Sequence, residues 1–291
     1  MLKISHVTKS YGEKKAVDDL SLHIQPGEIY GFIGHNGAGK TTTLKSVVGI
    51  LQFDQGEIYI DGKSIKEDPL GCKRETAYIP DNPDLYEYMT GIQYLNFIAD
   101  IFGVDADERL KDIRKYADRF ELTQDLAQPI GAYSHGMKQK LAIIAAWLHH
   151  PRLIIMDEPF VGLDPKAAHL LKEMMHEVCA GGSAIFFSTH VLEVAEKLCD
   201  KVAIIKGGQL IRSGTMDKVK GDDSLEDVFL ELTESEEAEY PQEETGEESA
   251  LADLCEEDTE SESETSLSDT DDGGDFSVAE EGEEDENESH I

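Results

Sequence analysis

No lysine or arginine occurs after residue 220, although residues 221–291 carry 31 of the chain's acids. Residues 1–220 hold all 26 bases against 30 acids, so the first part contributes −4 and the second −31 to the net charge of −35. This uneven placement excludes a salt-adapted acidic surface, which would spread its acids over the folded part. It also argues against nucleic-acid binding by the acidic segment, because phosphate and carboxylate repel. From Glu234 onward too little apolar surface is present to offset the entropy of ordering the chain, so 234–291 is expected to be a disordered acidic tail. Such runs are mostly solvated; the alternative is a tail that binds a basic partner or regulates the body.

Cysteine is scarce. Cys72, Cys179, Cys199 and Cys255 are far apart and show no C-x-x-C spacing, which argues against a disulfide framework or a zinc site and for a reducing compartment. Long hydrophobic runs are missing too. The longest, Leu141 to Leu148, is far short of the ~20 residues that cross a bilayer, and the N-terminus has no apolar leader. No direct membrane span is expected, and any membrane role must come through a partner. No internal repeat is present. At 40% hydrophobic, 291 residues suffice for one good core with room for a small second lobe.

What the sequence does have is a glycine loop between an apolar run and an amphipathic one, Glu28 to Ile50. Gly34-His35-Asn36-Gly37-Ala38-Gly39-Lys40-Thr41, followed by Thr42, fits G-x-x-x-x-G-K-[ST]. Glycines at 34, 37 and 39 let the backbone wrap a phosphate without a Cβ in the way. Lys40 brings a point charge to the β- and γ-phosphates and Thr41 a hydroxyl to Mg²⁺, at the positive end of a helix. The loop is a nucleoside-triphosphate cradle, and alone it does not say of which kind.

Around it, residues 2–8, 21–24, 56–62 and 75–80 read as strands. Tyr11, about 23 residues before the loop, is an ordinary half-exposed aromatic or a stacking partner for a base. A mainly helical insertion spans about 84 to 150, with Thr90 capping a helix to Phe102 and Ser134-His135-Gly136 starting another. Then Leu153-Ile154-Ile155-Met156-Asp157-Glu158 is a buried strand that delivers two acids to its C-terminal edge. Asp157 is suited to the Mg²⁺ shell and Glu158 to polarising a water that attacks the γ-phosphate. The plain alternative is an acidic pair on the surface. Gly162-Leu163-Asp164-Pro165 starts a helix, and Ala184 to Ser188 is a second buried strand. That strand ends in Thr189-His190, and there a histidine is placed as a donor to the γ-phosphate. Residues 202–205 and 209–212 form a hairpin and 224–233 a last helix.

In order and spacing this set resembles the nucleotide-binding subunit of ATP-binding-cassette (ABC) transporters across residues 1–233. Tyr11 matches the family's adenine-stacking aromatic, Gly34–Thr42 its P-loop, YSHGMKQ (133–139) its signature and LIIMDEP (153–159) its second acidic motif. GLD (162–164) matches its D-loop and His190 its switch histidine. The resemblance implies an α/β P-loop NTPase of the ABC type, with a mixed sheet core, an antiparallel β subdomain and the helical subdomain. It further implies ATP and Mg²⁺ as ligands, and an ATPase that drives a separate membrane permease. Two cassettes would pair head to tail, as a homodimer or with a related cassette, so that Ser134, Gly136 and Asp164 of one face the ATP held by the other. The place implied is the cytoplasmic face of the cell membrane. Two residues depart from the family pattern. Asp81 stands where a glutamine that touches Mg²⁺ is usual, and His135 where the signature has glycine, while Ser134 and Gly136 remain. YIPDNPDLYEYMTG with YSHGMKQK looks most like the Ecs-type and antibiotic-export branch. The competing class is a soluble ATPase of the same superfamily acting on ribosomes or DNA; the single cassette and the absence of a zinc or coiled-coil insertion argue against it.

Overall fold

The computed structural model describes residues 1–234, and the acidic tail expected from 234 onward falls almost wholly outside them. The chain opens with a hairpin, β1 (Leu2–Tyr11) and β2 (Lys14–Ile24), and then β3 (Ile29–Ile33) leads into α1 (Lys40–Val47). β4 (Gln55–Ile60) and β5 (Lys63–Ser64) follow, then α2 (Pro69–Arg74) and β6 (Thr76–Ile79). Three helices, α3 (Gly91–Phe102), α4 (Ala106–Arg119) and α5 (His135–Trp147), separate β6 from β7 (Leu153–Asp157). Next come α6 (Pro165–Ala180), β8 (Ala184–Thr189) and α7 (Leu192–Leu198). The described part ends with β9 (Lys201–Lys206), β10 (Gln209–Thr215), α8 (Met216–Lys220) and α9 (Leu225–Glu234).

Two sheets result. One is antiparallel, in the order β2-β1-β4-β5; the other runs β10-β9-β3-β8-β7-β6, parallel except for the edge strand β10. The three central strands are buried at every residue because both faces of the sheet are covered, which is why they read as unbroken apolar runs. Alternation still decides which core each side chain joins. Ile29, Ile33, Ile154, Met156, Ile185 and Phe187 face the helical core, whereas Tyr30, Phe32, Leu153, Ile155 and Phe186 face the core shared by α1 and the antiparallel sheet. Phe32, Phe186 and Phe187 are fully buried, each contributing about 2 kcal/mol.

The first hairpin is longer than its sequence pattern suggests. Its register shifts between Ile4 and Val7, Val7 and Lys9, and Lys9 and Ser10, and His6 and Asp19 take left-handed backbone angles. Each bulge reverses the alternation that marks a strand, so only fragments of β1 and β2 stand out by period. Thr90 caps α3 in a full capping box with Gln93, as its position predicts. The short helices α2, α7 and α8 carry no comparable signal in the sequence, being five to seven residues long.

Candidate functional site

β3, β7 and β8 lie side by side and parallel, so their C-terminal ends share one edge. From that edge emerge the glycine loop, the Asp157-Glu158 pair and His190. The loop is held tightly from behind. A Cβ on Gly39 would lie 2.2 Å from the carbonyl oxygen of Ala16, and one on Gly34 2.5 Å from that of Ile205. Gly39 also has φ +107°, a conformation that side chains rarely adopt. The turn between β9 and β10 completes the support: Gly208 N–H donates to Ala38 O at 2.9 Å, and Asp18 N–H donates to Gly208 O at 2.8 Å. The loop is thereby tied to the antiparallel sheet, whose strand β1 brings Tyr11 to the same cavity.

That cavity has a volume of about 310 Å³ and reaches from Tyr11 and Ala16 across the loop residues 35–37 and 39–42 to Asp81, Asp157 and Glu158. Lys40 is 6% exposed, with Nζ donating to Gly34 O at 2.6 Å and lying 3.7 Å from Glu158 Oε1. Thr41 Oγ1 donates to Asp157 Oδ2 at 2.6 Å. Ser188, wholly buried on β8, donates to Asp157 Oδ1 at 2.5 Å and accepts from Glu158 N–H at 3.1 Å. One hydroxyl therefore fixes both acids. Glu158 adopts φ +48°, a turn that carries its carboxylate off the end of β7 to within 3.0 Å of His190 Nδ1. Burial raises the pKa of Asp81, and the charges of Asp157 and Glu158 raise it further. Tyr78 is pushed upward mainly by burial, and its hydroxyl finds no hydrogen-bond partner.

The other predicted residues lie elsewhere in the chain. Ser134 caps α5, accepting from Met137 N–H at 3.3 Å, and Asp164 caps α6, accepting from Ala167 N–H at 2.9 Å. Lys140 of α5 pairs with Asp164 at 2.7 Å and holds its carboxyl below the usual range. Gly136 packs on Gly162, where a Cβ would lie 2.7 Å from the Gly162 oxygen. His135 covers the same glycine, for a Cβ on Gly162 would meet its ring at 2.3 Å. None of these residues lines the cavity that holds Tyr11 and Lys40.

A family model for ABC transporters matches residues 17–161. The ABC-type transporter ATP-binding protein EcsA of Bacillus subtilis is 35% identical over 241 residues, which is 81% of this chain and 98% of that protein. The chain belongs to the ATP-binding subunits of ABC transporters. It binds ATP with Mg²⁺ and is an ATPase. The linearmycin resistance ATP-binding protein LnrL of B. subtilis is 33% identical, with 74% of this chain and 69% of that protein aligned. A solved structure described as the ATP-binding subunit of an ABC transporter superposes with a TM-score of 0.78 at 36% identity, covering 80% of this chain and 99% of the other. EcsA and the solved structure are described as parts of ABC transporters and LnrL as a resistance protein, and the ribosome or DNA reading has no counterpart among them.

The residues of this ABC subunit fit the ligands. A loop in which any Cβ at 34 or 39 would strike backbone leaves room only for a bare main-chain cradle, as phosphate requires. The oxygen donors Thr41, Asp157 and Asp81 on its rim are the hard ligands that Mg²⁺ prefers. Ser188, Gly208 and Phe229 were not visible as site residues in the sequence. Phe229 of α9 packs its ring 4.7 Å from that of His35 in the loop. Their only signals were a serine inside a buried strand, a glycine pair in a turn and an aromatic in a short terminal helix.

Proposed function

We propose that this subunit hydrolyses ATP with Glu158 as general base and works as a head-to-tail pair of identical cassettes. The observation that carries the reading is a division within one chain. Tyr11, Lys40, Thr41 and the two acids gather at one cavity, while Ser134, Gly136 and Asp164 lie outside its lining, Gly136 packed on Gly162 and Asp164 paired with Lys140. A second copy would bring those helix starts to the ATP held by the first.

Within the site, Lys40 and the loop backbone bind the phosphates, and Tyr11, 53% exposed, stacks on the base. Thr41, Asp157 and Asp81 would hold Mg²⁺, whose charge offsets that of the phosphates. Glu158 takes the proton of the attacking water as the water oxygen bonds to the γ-phosphorus and ADP departs, while His190 steadies the Glu158 carboxylate and donates toward the γ-phosphoryl group in transfer. Lys40 exchanges its contact with Gly34 O for phosphate oxygens on binding.

ATP-binding subunits of this family pair with membrane permeases, and no helix among the described residues is long and apolar enough to cross a membrane. We place this one on the cytoplasmic face of the cell membrane, its helices α3 to α5 transmitting motion to the permease. Export is favoured by the similarity to a resistance protein. Purification from membranes in detergent, with the chain as bait, tests the assignment: a multi-span permease should co-purify, and ribosomal or DNA-repair proteins without any membrane protein would refute it.

A further inference from the structure

Far from the nucleotide in the sequence, Glu108 and Asp112 lie one turn apart on α4, and His150 follows the end of α5. His150 Nε2 is 3.3 Å from Glu108 Oε1 and 3.0 Å from Asp112 Oδ2. One ligand atom from each residue lies within 4.8 Å of the other two. The backbone of His150 is left-handed, φ +49°, and turns its ring back toward α4.

Asp112 distinguishes this group from an ordinary surface ion pair. It is only 7% exposed, and its Oδ2 receives no hydrogen bond, even though the His150 nitrogen is close. The N–H of a charged imidazole would have to be directed at that oxygen to satisfy it, and the required alignment is not met. A buried carboxylate oxygen without a donor is costly. A cation seated between the three atoms satisfies it without any such alignment.

We propose that Glu108, Asp112 and His150 form a binding site for one divalent transition-metal ion such as Zn²⁺ or Co²⁺. One imidazole nitrogen with two carboxylates is a donor set suited to these ions rather than to Mg²⁺ or Ca²⁺, which prefer oxygen alone. His150 Nε2 lies 3.0 and 3.3 Å from the two carboxylate oxygens, close to the edge of a tetrahedron with metal–ligand bonds of about 2 Å, and those oxygens are within 4.8 Å of each other, so that a fourth corner is left to water. Bound there, the ion fastens α4 to the segment between α5 and β7. None of the three residues lines the nucleotide cavity.

The test is a Co²⁺ titration of the full chain at neutral pH with Mg²⁺ in large excess, so that the many other carboxylates are occupied by a hard cation. One equivalent of Co²⁺ should bind with visible d–d bands of tetrahedral intensity, and Zn²⁺ should displace it. His150→Gln should abolish the bands. Glu108→Gln, at an exposed position, should weaken binding about tenfold or more. ATP hydrolysis by Glu108→Gln without added transition metal should stay at the wild-type rate. Absence of the bands in the wild-type chain, or the same bands and affinity in both variants, would overturn the proposal.

Discussion

The Nδ1 atom of His190 lies 3.0 Å from Oε2 of Glu158, joining the ends of two parallel strands across the catalytic edge. The carboxylate also faces Lys40 through its other oxygen, at 3.7 Å. Glu158 thus sits between Lys40, to which we assign the phosphates, and His190. Replacing Glu158 by Gln keeps the shape and removes the proposed base, so phosphate release should fall by about 10²-fold or more while ATP still binds. With hydrolysis blocked, light scattering should show a dimer that persists with ATP. An unchanged turnover would remove Glu158 from the chemistry.

His190→Ala should also slow turnover, by a smaller factor, since it leaves the base in place. Measured beside Glu158→Gln, the double variant should lose less than the two single losses combined, because part of the histidine's effect passes through the Glu158 carboxylate. Additive losses would show that His190 works independently.

Asp81 shares its cavity with Asp157 and Glu158, where the family usually has a neutral glutamine. If Asp81 is an anionic Mg²⁺ ligand, Asp81→Gln should raise the Mg²⁺ concentration for half-maximal turnover about tenfold. A Mg²⁺ dependence identical to that of the wild-type chain would exclude Asp81 from the metal shell.

The loop's rigidity can be tested at two glycines. Gly39→Ala places a Cβ 2.2 Å from the Ala16 oxygen, whereas at Gly37 nothing lies within 4 Å and only the φ of +81° opposes a side chain. Urea unfolding should therefore show about 1 kcal/mol lost for Gly37→Ala and clearly more for Gly39→Ala. ATP binding, followed by fluorescent-nucleotide titration, should fail in the second variant first.

These contrasts mark where the sequence is informative. Gly34, Lys40, Thr41, Asp157 and Glu158 were legible because their chemistry depends on residue type at short, fixed spacing. The buried strands were legible as apolar runs, and the caps at Thr90, Ser134 and Asp164 as single polar residues before helices. Ser188 was not, because a serine in a strand gives no sign that it will meet two acids 30 residues upstream. The packing of His135 on Gly162 was equally hidden, since it depends on how α5 and the segment before α6 meet in space. The bulged hairpin was half-legible for the reason that its alternation is interrupted.

The thiols offer an independent check on burial. Cys72, Cys179 and Cys199 are all buried, and burial pushes the Cys179 thiol up to about 12. At pH 8 roughly one Cys179 in ten thousand is then the reactive thiolate. A disulfide reagent should leave these three untouched in the native chain and titrate them at once in urea. Rapid native labelling at Cys179 would contradict the packing of α6 on the sheet.

Phe229 makes α9 more than a terminal appendage. It is 5% exposed, Leu225 and Val228 are buried beside it, and its ring meets that of His35 in the phosphate loop. Phe229→Ala should cost about 3 kcal/mol in urea unfolding and weaken ATP binding as well, because the cavity it leaves adjoins the loop. Glu226→Gln, exposed on the same helix, should change neither. Ending the chain after Glu234 keeps α9 and should leave intrinsic ATPase activity within severalfold of the full chain, whereas ending it before Leu225 should lose both stability and nucleotide. Equal activity in the two truncations would show that the loop does not depend on this helix.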